Sequence, residues 1–163
     1  MGYLNPIMKF GFEAFCQKCV ECGIDGVIIP DLPFKDYEET YKPIADRYDI
    51  RVIMLITPET SEARVREIDE HTNGFIYMVS SAATTGAQKD FDSQKQAYFK
   101  KIQDMHLRNP RMVGFGISNK QTFDAACANS SGAIIGSRFV TLLNEAEGDA
   151  EKAITQLKEN VGR

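Results

Sequence analysis

The sequence predicts an α/β fold in which short parallel strands alternate with helices. Short apolar runs recur along the chain, segments long enough for amphipathic helices separate them, and the last two runs each end at a glycine turn. Such alternation requires parallel strands joined by right-handed crossovers. Because no linker or change of composition divides the chain, residues 1–163 are predicted to form a single domain.

The strongest functional signal lies in residues 111–140. Two apolar runs, 112–113 and 133–135, lead into glycine turns, the first containing Gly116 and the second Gly136 and Ser137. Glycine lets backbone amides approach an anion, and a helix start adds the positive end of its dipole. Two such turns after consecutive strands match the phosphate site of a (β/α)8 barrel. The alternative is that both are ordinary strand-to-helix turns.

The composition narrows the possible functions. Apolar residues make up 43% of the chain and charged residues 26%, which predicts a packed globular core. The net charge of −4, without a basic run, argues against a nucleic-acid surface. The sequence shows no apolar run long enough to cross a membrane and no signal-peptide pattern, so we expect a cytoplasmic protein without a membrane partner.

Four cysteines allow two interpretations. Cys16, Cys19 and Cys22 are spaced by three, which could indicate a metal or cluster site. On a helix, however, Cys16 and Cys19 share an apolar face with neighbouring phenylalanines and Val20. Cys127 lies far away in another apolar helix. Reduced core thiols are therefore predicted, and no metal site.

In the first half of the chain, local signals predict each element in turn. The N-terminal residues resemble the end of a strand, and a helix is expected from Phe10 to Cys22, closed by Gly23. The run at 27–29 predicts a buried strand, and Pro43 predicts a late start or a kink in the next helix. After a β-branched run at 52–56, Thr60 or Ser61 is expected to cap a helix.

In the second half, residues 75–79 predict a strand that runs into a small, polar segment at 80–88, expected to be a mobile, functional loop. Capping boxes are predicted from Ser93 to Gln96 and from Ser118 to Gln121. Asp149 is expected to cap the last helix. Besides a strand end at the N-terminus, the chain is expected to contain five full strands.

Several motifs together resemble the tryptophan synthase alpha chain family, and the resemblance covers the whole chain. They are Tyr3-x-Asn5-Pro6 followed by Gly11, DGVIIPDLP at 25–33, YMVS at 77–80 with Thr85-Gly86, GFGIS at 114–118, and Gly132 to Ser137. The resemblance implies a (β/α)8 TIM barrel of the ribulose-phosphate-binding type, here a partial one. It also implies a lyase of tryptophan biosynthesis that cleaves indole-3-glycerol phosphate to indole and glyceraldehyde 3-phosphate.

The resemblance further implies roles for individual residues. Four would bind the substrate phosphate: Gly86, Gly116, Gly136 and Ser137. Three would line or adjoin the indole pocket: Tyr3, Tyr77 and Phe115. Thr85 would belong to the loop that orients the catalytic aspartate, and Asn5 and Pro33 would face a beta chain. In this family the alpha chain needs no metal or organic cofactor, and pyridoxal phosphate belongs to the beta chain of an alpha2beta2 tetramer.

The chain also departs from the family pattern. The resemblance places the catalytic glutamate and aspartate before Met1, within roughly the first two to three βα units of a barrel of about 250 residues. This chain alone is therefore expected to be inactive. Ser81, Ala82 and Ala83 replace the commoner arginine and glycine of the loop. Asp31 receives no catalytic role and is interpreted as a solvated or helix-capping carboxylate.

Other functions remain open at this stage. The chain could be a non-catalytic barrel fragment that binds phosphate or the beta chain. It could also resemble indole-glycerol-phosphate synthase, but that enzyme needs a catalytic lysine on its strands, and the predicted strands contain none. Because a partial barrel would expose strand edges, we expect either self-association of the fragment or upstream residues that cover those edges.

Overall fold

The computed structural model describes residues 1–79, 88–114 and 116–163, apart from the side chains of 88–93. After Gly11, helices and short strands follow one another in the order that the sequence predicts. Three residues with expected roles, Thr85, Gly86 and Phe115, lie outside the described part. None of the described helices is both long enough and apolar enough to cross a membrane.

The chain divides into two compact units. The first comprises Met1–Tyr77 with Arg108–Pro110, and the second Met78–Leu107 with Arg111–Arg163. The first unit contains α1 Leu4–Phe10, α2 Phe12–Glu21, β1 Gly26–Ile28, α3 Phe34–Asp36, a π-helix Tyr37–Tyr41, α4 Lys42–Arg47, β2 Arg51–Ile53, β3 Leu55–Ile56, α5 Glu62–His71 and the start of β4 Ile76–Val79. The second contains the end of β4, α6 Gln88–Asp104, β5 Arg111–Gly114, α7 Lys120–Cys127, β6 Gly132–Ile134, α8 Ser137–Glu145 and α9 Ala150–Asn160. The single domain stays a prediction.

The strands of the first unit are parallel, as expected. β1 pairs with β2 in a register that places Val27 opposite Val52. The amide of Tyr77 in β4 donates to the carbonyl of Met54 at 3.0 Å, so β4 starts beside the chain between β2 and β3. Val27 and Val52 are buried, as a strand covered on both faces requires.

The N-terminus differs from the prediction. Residues expected to end a strand form α1, and Gly11, with a φ of 95°, separates α1 from α2. Pro6 is compatible with this helix because it lies in the first turn, where amides lack intrahelical acceptors. The Gly2 amide nevertheless donates to the carbonyl of Ile28 in β1 at 3.0 Å. Gly2 therefore still makes one hydrogen bond of the kind that a strand would make, just before the helix.

The cysteine-containing face of α2 is buried as predicted. Cys16 and Cys19 are 0% and 3% exposed, and the ring centroids of Phe12 and Tyr41 lie 4.7 Å apart. Val20 is 51% exposed, so its assignment to the same face was wrong. Cys22 is exposed at the helix end, and the four cysteines are free thiols.

The helical segment before β2 already begins at Phe34, so the late start that Pro43 allowed is wrong. A π-helix, Tyr37–Tyr41, interrupts it immediately before Lys42 and Pro43. Proline lacks an amide hydrogen and crowds the carbonyl four residues earlier, so the α-helical hydrogen bonds cannot continue through it. Tyr37 and Tyr41 are buried, which anchors the wider turn.

Two of the predicted caps hold and two do not. The side chain of Ser61 caps α5, and that of Asp149 caps α9. Ser93 does not begin its helix, because α6 already starts at Gln88. The apolar side chains Tyr98 and Ile102 of α6 are buried, as is Met105 immediately after the helix. Ser118 does not cap its helix either, because the N-cap of α7 is Asn119.

The second unit contains a parallel strand pair and a helix pair. β5 pairs with β6 from Met112 opposite Gly132 to Gly114 opposite Ile134. A small core of Leu142, Ala146 and Ala153 joins the last two helices, and partly buried residues pack around it: Phe139, Leu143 and Leu157.

Candidate functional site

The first glycine turn follows β5, which ends at Gly114. Gly116 has a φ of 75°, in the left-handed region that L side chains rarely adopt. Among the residues that the structure describes, none has an atom within 4 Å of a Cβ placed on Gly116. The conformation, rather than crowding, therefore explains the glycine.

The helix after this turn is capped by its own side chains. Asn119 is the N-cap of α7, and its Oδ1 accepts from the Thr122 amide at 3.0 Å. Thr122 Oγ1 in turn accepts from the amides of Ser118 and Asn119, at 3.1 and 3.2 Å. The expected box from Ser118 to Gln121 is thus wrong by one residue. Asn119-x-x-Thr122 is a reciprocal capping pattern that the sequence could have indicated.

The second glycine turn follows β6 and opens α8 directly. Gly136 is the N-cap of α8, with φ −97° and ψ −72°, and Ser137 is its first residue. Within the described part of the chain, this helix has no side-chain cap at its N-terminus, and its first turn contains no acidic residue. A Cβ on Gly136 would meet nothing within 4 Å. Neither backbone conformation nor packing within the described residues therefore demands glycine at 136.

The two turns start at the same level of adjacent strands. The β5–β6 register pairs Gly114 with Ile134, so Gly116 and Gly136 each lie two residues beyond a paired position. Because the strands are parallel, both turns leave the same edge of the sheet, and both glycines are exposed there. The structure thus brings together Gly116, Gly136 and Ser137 at the end where open α/β sheets bind ligands.

The two described aromatic residues of the expected indole pocket belong to the first unit. Tyr77 lies in β4 and is 6% exposed, and burial raises the pKa of its phenol. Tyr3 precedes α1 and is 68% exposed. Within that unit, Tyr77 is therefore a core residue and Tyr3 a surface residue.

Asn5 and Pro33, the residues expected to face a beta chain, are both exposed in the first unit. Asn5 lies in the first turn of α1, and Pro33 immediately precedes α3. The Asp31 carboxylate accepts from the Leu4 amide at 2.8 Å, which ties the start of α1 to the segment that contains Pro33. Asp31 is thus a helix-capping carboxylate, one of the two roles considered for it.

Within the described ranges, no group of three or more histidine, cysteine or acidic side chains is arranged to hold a metal ion. Burial raises the pKa of the Cys16 thiol to about 11, with smaller contributions from Cys19 and Glu13. Such a thiol stays protonated at neutral pH and is a poor ligand and nucleophile.

Comparison with known proteins identifies the family. The family model described as tryptophan synthase alpha chain matches residues 1–163. The chain belongs to that family.

Curated members of the family are closely similar. The tryptophan synthase alpha chain of Bacteroides fragilis is 79% identical over 158 residues, which cover 97% of this chain and 60% of that protein. The alpha chain of Bacteroides thetaiotaomicron is also 79% identical, and the match covers 98% of this chain and 62% of that protein. The chain therefore spans about 60% of the length of these curated relatives.

Solved structures of the family share the fold. The alpha chain of Legionella pneumophila is 28% identical with a TM-score of 0.80, and 99% of this chain matches 61% of that one. The tryptophan synthase A-subunit of Pyrococcus furiosus is 28% identical with a TM-score of 0.81, and the match covers 99% of this chain and 64% of that one. These are TIM barrels, so the predicted partial (β/α)8 barrel is confirmed.

Proposed function

We propose that this chain forms the phosphate-binding part of a tryptophan synthase alpha subunit, a lyase that cleaves indole-3-glycerol phosphate to indole and glyceraldehyde 3-phosphate. One observation carries the proposal: the register that pairs Gly114 with Ile134 and starts two open glycine turns at one level. Membership of the family supports it independently.

In this proposal, backbone amides at Gly116 and Gly136 and the hydroxyl of Ser137 bind the phosphate. α8 suits this role because its N-cap, Gly136, makes no side-chain capping hydrogen bond at the helix end where the dipole places roughly half a positive charge. Each hydrogen bond to a charged oxygen contributes about 1.5–3 kcal/mol. Gly86 would complete the phosphate site, and Thr85 would support the catalytic aspartate; both lie outside the described residues.

The remaining roles are proposed from the family. Tyr77, Phe115 and Tyr3 would contribute to the indole pocket. Asn5 and Pro33 would contact a beta chain in an alpha2beta2 assembly, and their exposure is compatible with that role. The proposal assigns no cofactor to this chain, because pyridoxal phosphate belongs to the beta chain. A cytoplasmic location stays a prediction.

Calorimetric titration with glycerol 3-phosphate tests the proposal. We expect saturable binding by the wild-type chain and at least about tenfold weaker binding by Gly136→Ala, since a methyl group would occupy the space open to the ligand. Gly136→Ala should keep its stability because φ is −97° and the site is open. Gly2→Ala is the matched control, since the nearest atom to its Cβ would be 3.9 Å away.

Three outcomes would contradict the proposal. The first is the absence of saturable binding by the folded wild-type chain. The second is equal affinity in the wild type and Gly136→Ala, which would place the anion elsewhere. Weaker binding in Gly2→Ala to the same extent would also contradict it, because no phosphate contact is proposed there.

A further inference from the structure

The hydroxyl of Thr122 lies where the first glycine turn joins α7. Its Oγ1 accepts from two successive amides, those of Ser118 and Asn119, at 3.1 and 3.2 Å. It also donates to the Asn119 carbonyl oxygen at 3.0 Å. A hydroxyl has one hydrogen and two acceptor lone pairs, so these three bonds use its full capacity. Thr122 therefore fixes the chain immediately after Gly116 and Ile117.

These bonds divide the amides around the turn into two groups. Those of Ser118, Asn119 and Thr122 already have side-chain acceptors within the chain. The amides of Gly116 and Ile117 have no acceptor within the described residues. An anion at this turn therefore finds donors at 116 and 117, whereas those at 118 and 119 are occupied.

The two glycine turns consequently differ in which backbone amides they can offer to an anion. α8 has no side-chain cap and offers the start of a helix, whereas α7 is closed by the Asn119–Thr122 capping box. The first turn can contribute amides only from the residues before its helix. Their direction depends on the left-handed conformation of Gly116, whose φ is 75° and whose Cβ position is open. Among the described residues, none lies within 4 Å of that Cβ position, whereas hydrogen bonds hold the residues that follow it.

We propose that Thr122 is a positioning residue for phosphate binding: its hydroxyl holds the Gly116 turn so that the amides of Gly116 and Ile117 face the anion. This inference rests on the proposed function, because it deepens the role of the same turn. Thr122 itself touches no phosphate in this arrangement. Its effect on affinity passes through the amides of Ser118 and Asn119.

Three variants separate this role from ordinary helix capping. Thr122→Val keeps the β-branched shape but removes the hydroxyl, and Thr122→Ser keeps the hydroxyl. The matched control is Thr155→Ala, which removes a hydroxyl that donates to the Glu151 carbonyl at 2.9 Å within α9. For glycerol 3-phosphate we expect about tenfold weaker binding by Thr122→Val, affinity within about twofold of wild type for Thr122→Ser, and no change for Thr155→Ala.

A second measurement needs no substitution. In the ¹⁵N–¹H spectrum of the wild-type chain, saturation with glycerol 3-phosphate should shift the amide signals of Gly116 and Ile117 strongly. The signals of Ser118 and Asn119 should shift little, because their amides remain hydrogen-bonded to Thr122 Oγ1. This readout shows which amides the phosphate contacts even if Thr122→Val does not fold.

The outcomes distinguish the two proposals. If the folded wild-type chain does not bind glycerol 3-phosphate, the proposed function fails and this inference fails with it. If the wild type binds and folded Thr122→Val binds within about twofold, only the positioning role is overturned. Equally large shifts at Ser118 and Asn119 would also overturn it, since phosphate would then have replaced the Thr122 hydroxyl.

Discussion

The carboxylate of Asp31 and the backbone amide of Leu4 form a 2.8 Å hydrogen bond across 27 positions of sequence. The first amides of a helix lack intrahelical acceptors, and here a distant side chain supplies one. No side chain of the neighbouring residues caps α1. The bond therefore joins the start of α1 to the segment after β1, and it fixes the surroundings of both Asn5 and Pro33.

Asp31→Ala should lower the free energy of unfolding by about 1 kcal/mol, as expected for loss of a helix cap. Urea denaturation followed by circular dichroism measures this. Asp31→Asn is the control, because its amide oxygen can still accept from Leu4, and it should recover most of the loss. If alanine and asparagine were equally destabilising, the hydrogen bond would not be the cause.

A second prediction concerns Asp69, which is 7% exposed and accepts three hydrogen bonds from Arg108 and Asn109. Asp69→Ala leaves those donors without this acceptor, so the free energy of unfolding should fall by about 3 kcal/mol. The exposed pair of Lys100 and Asp104 provides the comparison, and Asp104→Ala should cost about 0.5 kcal/mol or less. Chemical denaturation of both variants checks the contrast, and equal losses would contradict it.

A third prediction concerns alkaline pH. Burial raises the pKa of the Cys16 thiol from 9.0 in the unfolded chain to about 11 in the fold. Because the folded pKa is the higher one, this contribution to stability is complete below pH 9 and is lost as pH rises through 11. The free energy of unfolding should therefore fall between pH 9 and 11, by up to about 2 kcal/mol from this thiol.

Cys16→Ala should be less stable at neutral pH but should lose less stability over the same pH range. Denaturation at several pH values measures the two slopes. Cys22→Ala is the control, because Cys22 is exposed in the folded chain, and it should keep the wild-type slope. Identical slopes in Cys16→Ala and wild type would show that burial of Cys16 does not govern this pH dependence.

A fourth prediction concerns catalysis by the 163-residue chain alone. It should bind glycerol 3-phosphate without releasing indole from indole-3-glycerol phosphate, because the resemblance places neither catalytic carboxylate within these residues. Proton transfer by one positioned carboxylate typically contributes ~10²–10⁴-fold. An indole assay measures this, with the longer Bacteroides fragilis alpha chain as the positive control. Release above background by the purified chain would refute it.

Features that depend on near neighbours in sequence were predicted well. The buried face of Cys16 and Cys19 follows from helical spacing, and the caps at Ser61 and Asp149 act within one turn of their helices. Pro43 indicated a kink, but the pattern could not specify a π-helix, because that choice depends on how Tyr37 and Tyr41 are buried.

Errors arose where several local solutions were available. Ser118 and Asn119 are both good N-caps, and only the fold selects Asn119, whose partner Thr122 also binds the preceding amide. α6 begins before Ser93, which shows that a capping pattern can lie inside a helix. In the candidate site, Gly116, Gly136 and Ser137 were named from the sequence, whereas Thr122 was missed although its spacing from Asn119 is that of a capping box.

The sequence by itself determined the order of the elements, the two glycine turns and the family, because apolar periodicity and short motifs are local properties. Tertiary structure alone decided that Leu4 begins a helix, since its amide is satisfied by Asp31 from a distant segment. It also decided that Gly116 and Gly136 leave one sheet edge at one level, because strand register depends on hydrogen bonds between β5 and β6. A one-residue slip would preserve both motifs and misalign the two turns.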